Sequence, residues 1–571
     1  MSGVIMLEFL GPWKVVVLDS PSDLSNDLKE KVKERYGIEK FSFVKCSSRM
    51  GEEEVLEVIR REAEKRGLSV RVYFDESLGS VIIESKKEFL GEEFFLKTGW
   101  RPIFKYPSYS GIVRKVRSEI HEQNGRYSFL LRIGRRIRTS TKRYDMLPRV
   151  SFLGGCREVG RSSSLVQTEE SSVLVDYGIS PSDYKYPHHL PELKLEEIDA
   201  LILTHAHLDH AGGVFRLYSM GYDGPIYATE ATISLMRLLA LDLYKIGRDK
   251  IGFEKREIDR AIRKSIPIEY REEIDVAPDV SVELFDAGHI PGSSSVLLKI
   301  KSNGKEKRFL FTGDINTKRS KLLEGADRSY PELDFIAIES TYSMETHPSR
   351  KKEEKKLIKA VLETYRRGGS SIVPSFGVGR GQEILLILQD YRVDIPIFVD
   401  GMIREATKII QSHPEFLARD LRTENISWIW REKHREEAIS ERGIIVTTSG
   451  MLSGGPVIRY LKELGGDERN SIIITGYQAE GTLGRKILDG ERKIRVDNEN
   501  IELKAEVVEV TLSAHVDRPE LFEYLKNCGK PKVFTVHGER GHCEKFASEI
   551  RNKIGLSAVA PRNGDAYVLG D

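Results

Sequence analysis

The stretch Thr204-His205-Ala206-His207-Leu208-Asp209-His210 sets four candidate metal ligands within six residues, directly after the apolar run 200–203 and before Ala211-Gly212-Gly213. A short apolar run bounded by turn residues reads as a buried strand. A loop at the end of such a strand is held rigidly by the sheet, which suits it to chemistry. Neutral imidazoles and a carboxylate match borderline cations such as zinc, and this spacing lets alternate side chains converge on two of them.

Two metals need more ligands than one loop supplies. Three other strand ends offer them: His289 in Ala287-Gly288-His289-Ile290-Pro291-Gly292-Ser293 ahead of the strand at 295–300, Asp314 in Thr312-Gly313-Asp314 after 309–312, and Asp176 after 173–175. Singly, an Asp after a strand is a turn residue. In this order the set points to a two-metal hydrolase.

The chain has 571 residues, which implies three or four folded units. Lys and Arg number 89 against 88 Asp and Glu, a net charge of +1, so affinity for nucleic acid has to come from local patches. With 40% hydrophobic and 31% charged residues the composition is that of a folded, soluble protein. No apolar run approaches the roughly 20 residues that cross a bilayer, and neither a signal peptide nor a membrane contact is expected. Cys46, Cys156, Cys528 and Cys543 form no CxxC pair and read as reduced thiols, in keeping with a cytoplasmic location.

The first 146 residues alternate short β-rich runs with charged helices, including helices at 27–36 and 52–65 and a hairpin of 70–74 with 81–84 turning at Ser77 to Gly79. From 101 to 143 the chain is basic, interleaved with Tyr106, Tyr109, Tyr127 and Phe129; this is either a phosphate-facing surface or a solvated helix face with a linker. After Pro148 short strands end in Gly, Asp or His. Between about 346 and 510 strands and helices alternate, as in 370–374 then 382–389, which is α/β texture.

The order Asp176, His205-x-His207-x-Asp209-His210, His289, Asp314 resembles the metallo-β-lactamase superfamily. That resemblance implies an αββα sandwich with two Zn2+ per chain. It places His205, His207 and His289 on one zinc and Asp209 and His210 on the other, with Asp314 bridging and Asp176 orienting the ligands. The superfamily also hydrolyses thioesters and lactams, so the metal core does not choose the substrate. Manganese suits the same donors.

Downstream, Glu339-Ser340-Thr341-Tyr342, Ser513-Ala514-His515-Val516-Asp517 and Val536-His537-Gly538-Glu539 resemble the three motifs of the β-CASP nucleases, which carry a capping domain inserted in the hydrolase fold. The implied roles are His537 on the second zinc and Glu339 tuning His515 to protonate a departing ribose oxygen. A histidine as the third motif is the form associated with RNA. Three glycine-rich turns, 375–381, 448–456 and 475–484, each lie between a strand and a helix. Backbone N–H groups there suit phosphate, and Ser375, Arg380, Ser449, Gly450, Gly476, Tyr477 and Arg485 are the candidate contacts. The spacing G-x-G-x-G in the first is not the dinucleotide fingerprint.

Nearly the whole chain resembles the archaeal nucleases of the cleavage and polyadenylation specificity factor type, with KH-like modules at 1–146, the metallo-β-lactamase domain at 147–345 and 512–571, and the β-CASP domain at 346–511. The resemblance implies a homodimeric, zinc-dependent ribonuclease, with endonuclease and 5′-to-3′ exonuclease action both open. It would cut single-stranded RNA by metal-activated water, giving 5′-phosphate and 3′-hydroxyl ends, in RNA 3′-end formation and transcription termination, with RNA polymerase as a partner. The alternative is a termination factor that grips RNA and polymerase, with cleavage secondary. One departure is that Gly91-Glu92-Glu93-Phe94 stands where a KH domain has GxxG, and its two acids would repel phosphate.

Overall fold

Hydrophobic alternation organises the central sheets. Along Ser294–Ser302 and Lys305–Phe311, Val296, Leu298, Phe309 and Phe311 enter one core while Leu297 and Leu310 enter another. Successive side chains of a strand point to opposite faces, so this sheet is buried on both. The structure, a computed structural model, describes residues 49–570 apart from 76–78, 122–124, 181–182, 189–193, 303 and 497–498, together with the strand backbones Val15–Leu18 and Ser42–Lys45. The helix expected at 27–36, Cys46, His189 and most of the turn at 77–79 lie outside the described residues.

Two units emerge, one from 1–109 and 117–132 and one from 110–116 and 133–571. In the first, Arg71–Asp75 and Ser80–Glu84 form the expected antiparallel pair, and Arg101–Lys105 joins in parallel. Helix Glu52–Glu64 buries Val55, Ile59 and Ala63, spaced one helical turn apart, in a core with Val81, Ile83, Phe94 and Trp100. The basic stretch is partly structural here: Arg117 is buried with its guanidinium 2.8 Å from Glu84, and Arg126 is buried too, while Tyr106, Tyr109 and Tyr127 are exposed.

The second unit holds, among the described residues, two seven-stranded sheets, a six-stranded one and a two-stranded pair of Lys493–Val496 with Glu499–Glu502. The first runs Ser265–Pro267, Ile226–Ala228, Ala200–Ile202, Ser172–Val175, Ser163–Gln167, Arg149–Gly154 and Ala566–Val568. The second runs Glu273–Ala277, Val280–Asp286, Ser294–Ser302, Lys305–Phe311, Phe335–Glu339, Lys532–Val536 and Ala558–Val559. Phe152, Val166 and Ile202 of the one share a core with Val282, Val296, Phe309 and Phe534 of the other. Helices Arg518–Asn527 and Arg540–Ile554 cover the second sheet's outer face through Leu521, Leu525, Phe546 and Ile550.

Between the neighbouring strands Phe335–Glu339 and Lys532–Val536 the chain leaves and builds the third sheet. Its order is Ile426–Trp428, Ile397–Asp400, Ile444–Thr447, Ser371–Pro374, Ser471–Ile474 and Glu506–Glu509, all parallel. Both faces are apolar, as parallel sheets require, with Val373 and Val446 on one side and Ile372 and Ile445 on the other. All six carboxyl ends therefore open on one edge, where the three glycine-rich turns lie. In this unit Arg136 and Arg143 both close on Asp199, at 2.8 and 3.1 Å, so two more of the basic residues serve a carboxylate. No helix among the described residues is long and apolar enough to cross a membrane.

Candidate metal centre

Asp176 follows Ser172–Val175 with φ 59°, and His537 follows Lys532–Val536 with φ 48°. A left-handed backbone at a non-glycine residue is costly and persists only where the surroundings enforce it. At Asp176 the enforcing contacts are visible. Its Oδ1 accepts the Thr204 N–H at 2.8 Å, its Oδ2 accepts the Thr204 hydroxyl at 2.8 Å, and His210 Nδ1–H donates to Oδ2 at 2.7 Å. The neighbouring Gly178 admits the loop that carries Asp209, since a Cβ there would stand 1.8 Å from the Asp209 carbonyl oxygen.

Thr204 was not among the residues expected to matter, yet its hydroxyl organises two imidazoles. With its proton on Asp176, Thr204 Oγ1 accepts from His205 Nδ1 at 3.1 Å, which turns the bare His205 Nε2 inward. His289 Nδ1–H donates to the Ala514 carbonyl oxygen at 3.0 Å, which does the same for its Nε2. His207 Nδ1 lies 3.2 Å from His205 Nε2 and 3.1 Å from His289 Nε2. Burial pushes all three imidazoles below the usual histidine range, so they stand neutral, the form that ligates.

Asp314 lies between this trio and a second set. Its Oδ2 is 3.6 Å from both His205 Nε2 and His289 Nε2, while its Oδ1 is 3.3 Å from His210 Nε2 and 3.0 Å from His537 Nδ1. Asp209 Oδ2 is 3.3 Å from His537 Nε2. Burial alone would discharge His210 and His537, but the surrounding carboxylates prevail: Asp314 and Asp176 raise His210, and Asp314 and Asp209 bring His537 to about 10.

Whether cations fit can be judged from the donors themselves. His210 Nε2, both His537 nitrogens and Asp314 Oδ1 are buried without a hydrogen-bond partner, although they approach one another closely. Such atoms face a common centre rather than each other, and the cost of leaving them unpaired is what a bound cation removes. The ligand atoms of His205, His207, His289 and Asp314 all lie within 4.8 Å of one another, as do those of Asp209, His210, Asp314 and His537. The donor set suits divalent metals, and the site is a metal centre by its chemistry.

On the third side, His515 Nδ1 lies 2.9 Å from Glu339 Oε2, and its Nε2 lies 4.0 Å from Asp314. Burial opposes charge on His515, but Glu339 and then Asp314 outweigh it and raise its pKa. Tyr342 ties this histidine to its surroundings, with ring centroids 6.0 Å from His515, 4.7 Å from His347 and 6.3 Å from Tyr477. His347 and His542 belong to none of the sequence motifs. His347 packs beside the centre, and His542 Nδ1–H donates to the Thr341 carbonyl oxygen at 3.0 Å. Only the fold could have brought them here.

The glycine-rich turns meet at the carboxyl edge of the third sheet. Gln478 Nε2 bridges the Gly450 and Gly476 carbonyl oxygens at 3.0 and 3.1 Å. Ser375 is buried; Ser449 donates its hydroxyl to Gly454 at 3.0 Å; Tyr477 is exposed. Arg380 Nε is buried without a hydrogen-bond partner, whereas Arg485 is exposed and paired with Asp489 at 2.8 Å.

Residues 156–354 match the metallo-β-lactamase superfamily, 381–487 the Beta-Casp domain and 500–561 the Zn-dependent metallo-hydrolase RNA specificity domain. The chain is 38% identical to the transcription termination factor FttA of Pyrococcus abyssi, over 99% of this chain and 95% of that one. It is 36% identical to FttA of Methanocaldococcus jannaschii, over 99% and 96%. Against FttA of Thermococcus kodakarensis the figures are 36% identity over 100% and 96%.

Proposed function

The chain belongs to the archaeal FttA family of β-CASP metallo-hydrolases, metal-dependent nucleases, and from that membership we propose that it cleaves single-stranded RNA with water as nucleophile, leaving 5′-phosphate and 3′-hydroxyl ends, in RNA 3′-end formation and transcription termination. The supporting observation is Asp314, whose two oxygens face separate donor sets 3.0–3.6 Å away. On this reading His205, His207 and His289 hold one Zn2+ and Asp209, His210 and His537 a second, with Asp314 shared and Asp176 fixing His210 from behind. When bound, the two cations would acidify a water between them and offset charge gathering on the phosphate.

The chain's own groups handle the protons. Asp209 orients the attacking water and takes the proton it sheds as the new O–P bond forms. His515, with Nδ1 held by Glu339, delivers a proton from Nε2 to the ribose O3′ as the P–O3′ bond breaks. Ser375, Arg380, Ser449, Gly450, Gly476, Tyr477 and Arg485 hold neighbouring phosphates, at the sheet edge where parallel α/β folds bind ligands. We assign 1–146 to a KH-like region, 147–345 and 512–571 to the hydrolase and 346–511 to the cap, in a cytoplasmic homodimer that contacts RNA polymerase.

The test is cleavage of end-labelled RNA by zinc-loaded parent and by an Asp209→Ala, His210→Ala variant. Cutting by the parent alone, with 5′-phosphate ends and tolerance of a 2′-deoxy substitution at the scissile position, is expected. RNA bound but left intact by fully loaded parent would overturn it. The relatives' name favours a second reading, in which gripping RNA and polymerase is primary; termination retained by the same variant would support that.

A further inference from the structure

The third sheet's carboxyl edge continues well past the metal centre. His515 follows Glu506–Glu509 at one end of the strand order, and Trp430 follows Ile426–Trp428 at the other. Five strand spacings separate those ends, about 24 Å. Between them lie the turns after Ser471–Ile474, Ser371–Pro374 and Ile444–Thr447, so one unbroken row of loops leads from His515 to Trp430.

Trp430 is 47% exposed. Arg404 Cζ and Lys408 Nζ sit 4.4 and 4.3 Å from its ring centroid. Both come from helix Ile403–Gln411, one turn apart on the same helix face, and nearly half of the Trp430 side chain stays exposed beside them. The platform's supports are held in place: the Trp430 backbone N–H donates to His434 Nδ1 at 3.2 Å, and Arg404 Nε donates to the Gly401 carbonyl oxygen at 3.1 Å. Arg404 Nη1 is buried with no hydrogen-bond partner. Nearby Arg435, by contrast, is engaged by Asp400 at 2.6 Å.

We propose that Trp430, backed by Arg404 and Lys408, is a remote nucleotide subsite: an unpaired base of the RNA stacks on the exposed indole while Arg404 meets its phosphate, several nucleotides from the scissile bond. This rests on the ribonuclease reading above. Every base has a π face, so stacking on tryptophan gains affinity without sequence preference, and cations behind the ring add charge for the backbone. A contact so far from His515 serves binding and register, and leaves the chemical step unchanged.

The experiment measures steady-state cleavage of homopolymeric single-stranded RNAs of about 3 and about 24 nucleotides by full-length, zinc-loaded parent, Trp430→Ala and Trp430→Phe. For the long RNA, Trp430→Ala is expected to raise KM about tenfold with kcat held, while Trp430→Phe stays within about twofold. An RNA of about 3 nucleotides, too short to span the edge, should be cut alike by all three. An unchanged KM for the long RNA, or an equal rise for both lengths, would overturn the subsite. If the parent leaves both RNAs intact, the ribonuclease reading falls instead, and the subsite is then decided by fluorescence anisotropy of the long RNA, where Trp430→Ala must weaken binding about tenfold to sustain it.

Discussion

Glu339 holds two groups with one carboxylate: Oε2 lies 2.9 Å from His515 Nδ1, and Oε1 accepts the Ile315 N–H at 2.7 Å, next to Asp314. Glutamine can keep the acceptor for Ile315 but not the charge that favours a protonated His515. Glu339→Gln is therefore expected to lower kcat about 10²-fold, with KM and metal content unchanged. A substrate with sulfur in place of the leaving O3′ needs no proton, and on it the variant should approach the parent. Equal loss on both substrates would remove Glu339 from proton delivery.

Metal removal should register as stability. The orphaned atoms of His210, His537 and Asp314 are buried in the native state only, so cations that fill their centre bind the folded form. At a hundredfold excess over Kd one ion contributes about 2.7 kcal/mol. Chelation is expected to lower Tm by about 5 °C or more, reversed by zinc, with elemental analysis giving about two ions per chain. A single ion at saturation would contradict the shared role of Asp314.

The clustering of the candidate ligands was legible because their order along the chain mirrors strand ends that the sheets bring together, and His205 to His210 are local in any case. Charge was less legible. A basic run does not reveal whether a guanidinium faces solvent or a carboxylate, and Arg117, Arg136 and Arg143 found Glu84 and Asp199 far away in sequence. Thr204 was hidden in plain view, since a hydroxyl beside a histidine gains meaning only from an acid such as Asp176 across the sheet. His347 carried no motif, and packing against Tyr342 is a property of the inserted fold.

Gly178 tests how tightly the ligand loop is seated. A methyl group there meets the Asp209 carbonyl oxygen at 1.8 Å and its carbon at 2.2 Å, backbone that cannot swing aside. Gly178→Ala is expected to cost about 1–3 kcal/mol in chemical denaturation and to displace Asp209, lowering metal occupancy. Gly541→Ala, inside helix Arg540–Ile554 with nothing within 4 Å, is the control and should be neutral or slightly stabilising. Full occupancy in Gly178→Ala would show that the loop has slack.

Glu383 fastens the capping sheet to the hydrolase. From helix Arg380–Asp390 its carboxylate accepts the backbone N–H groups of Lys321 and Leu322 at 3.0 and 2.8 Å and pairs with Arg350, which also donates to the Ser513 carbonyl oxygen at 3.1 Å. Leaving the Lys321 and Leu322 N–H groups without their acceptor costs about 1–3 kcal/mol. Glu383→Ala should lose about that much and speed hydrogen exchange at the amides of Lys321 and Leu322. Unchanged exchange there would show that the joint is held elsewhere.

Arg380 occupies the same helix start, at the carboxyl edge where the glycine-rich turns converge. Burial, reinforced by Arg350 nearby, pulls its pKa down to about 10, and its Nε has no hydrogen-bond partner. A cation held this unfavourably is expected to gain when a phosphate arrives, because a charge-assisted bond in a low-dielectric site is stronger than in water. Arg380→Gln should raise KM about tenfold or more with a smaller change in kcat. On single strands each phosphate contact contributes about 0.7 to the slope of log affinity against log salt, so the variant's slope should be shallower by about that amount. A loss of affinity with the slope unchanged would mean that Arg380 supports the turn rather than the RNA.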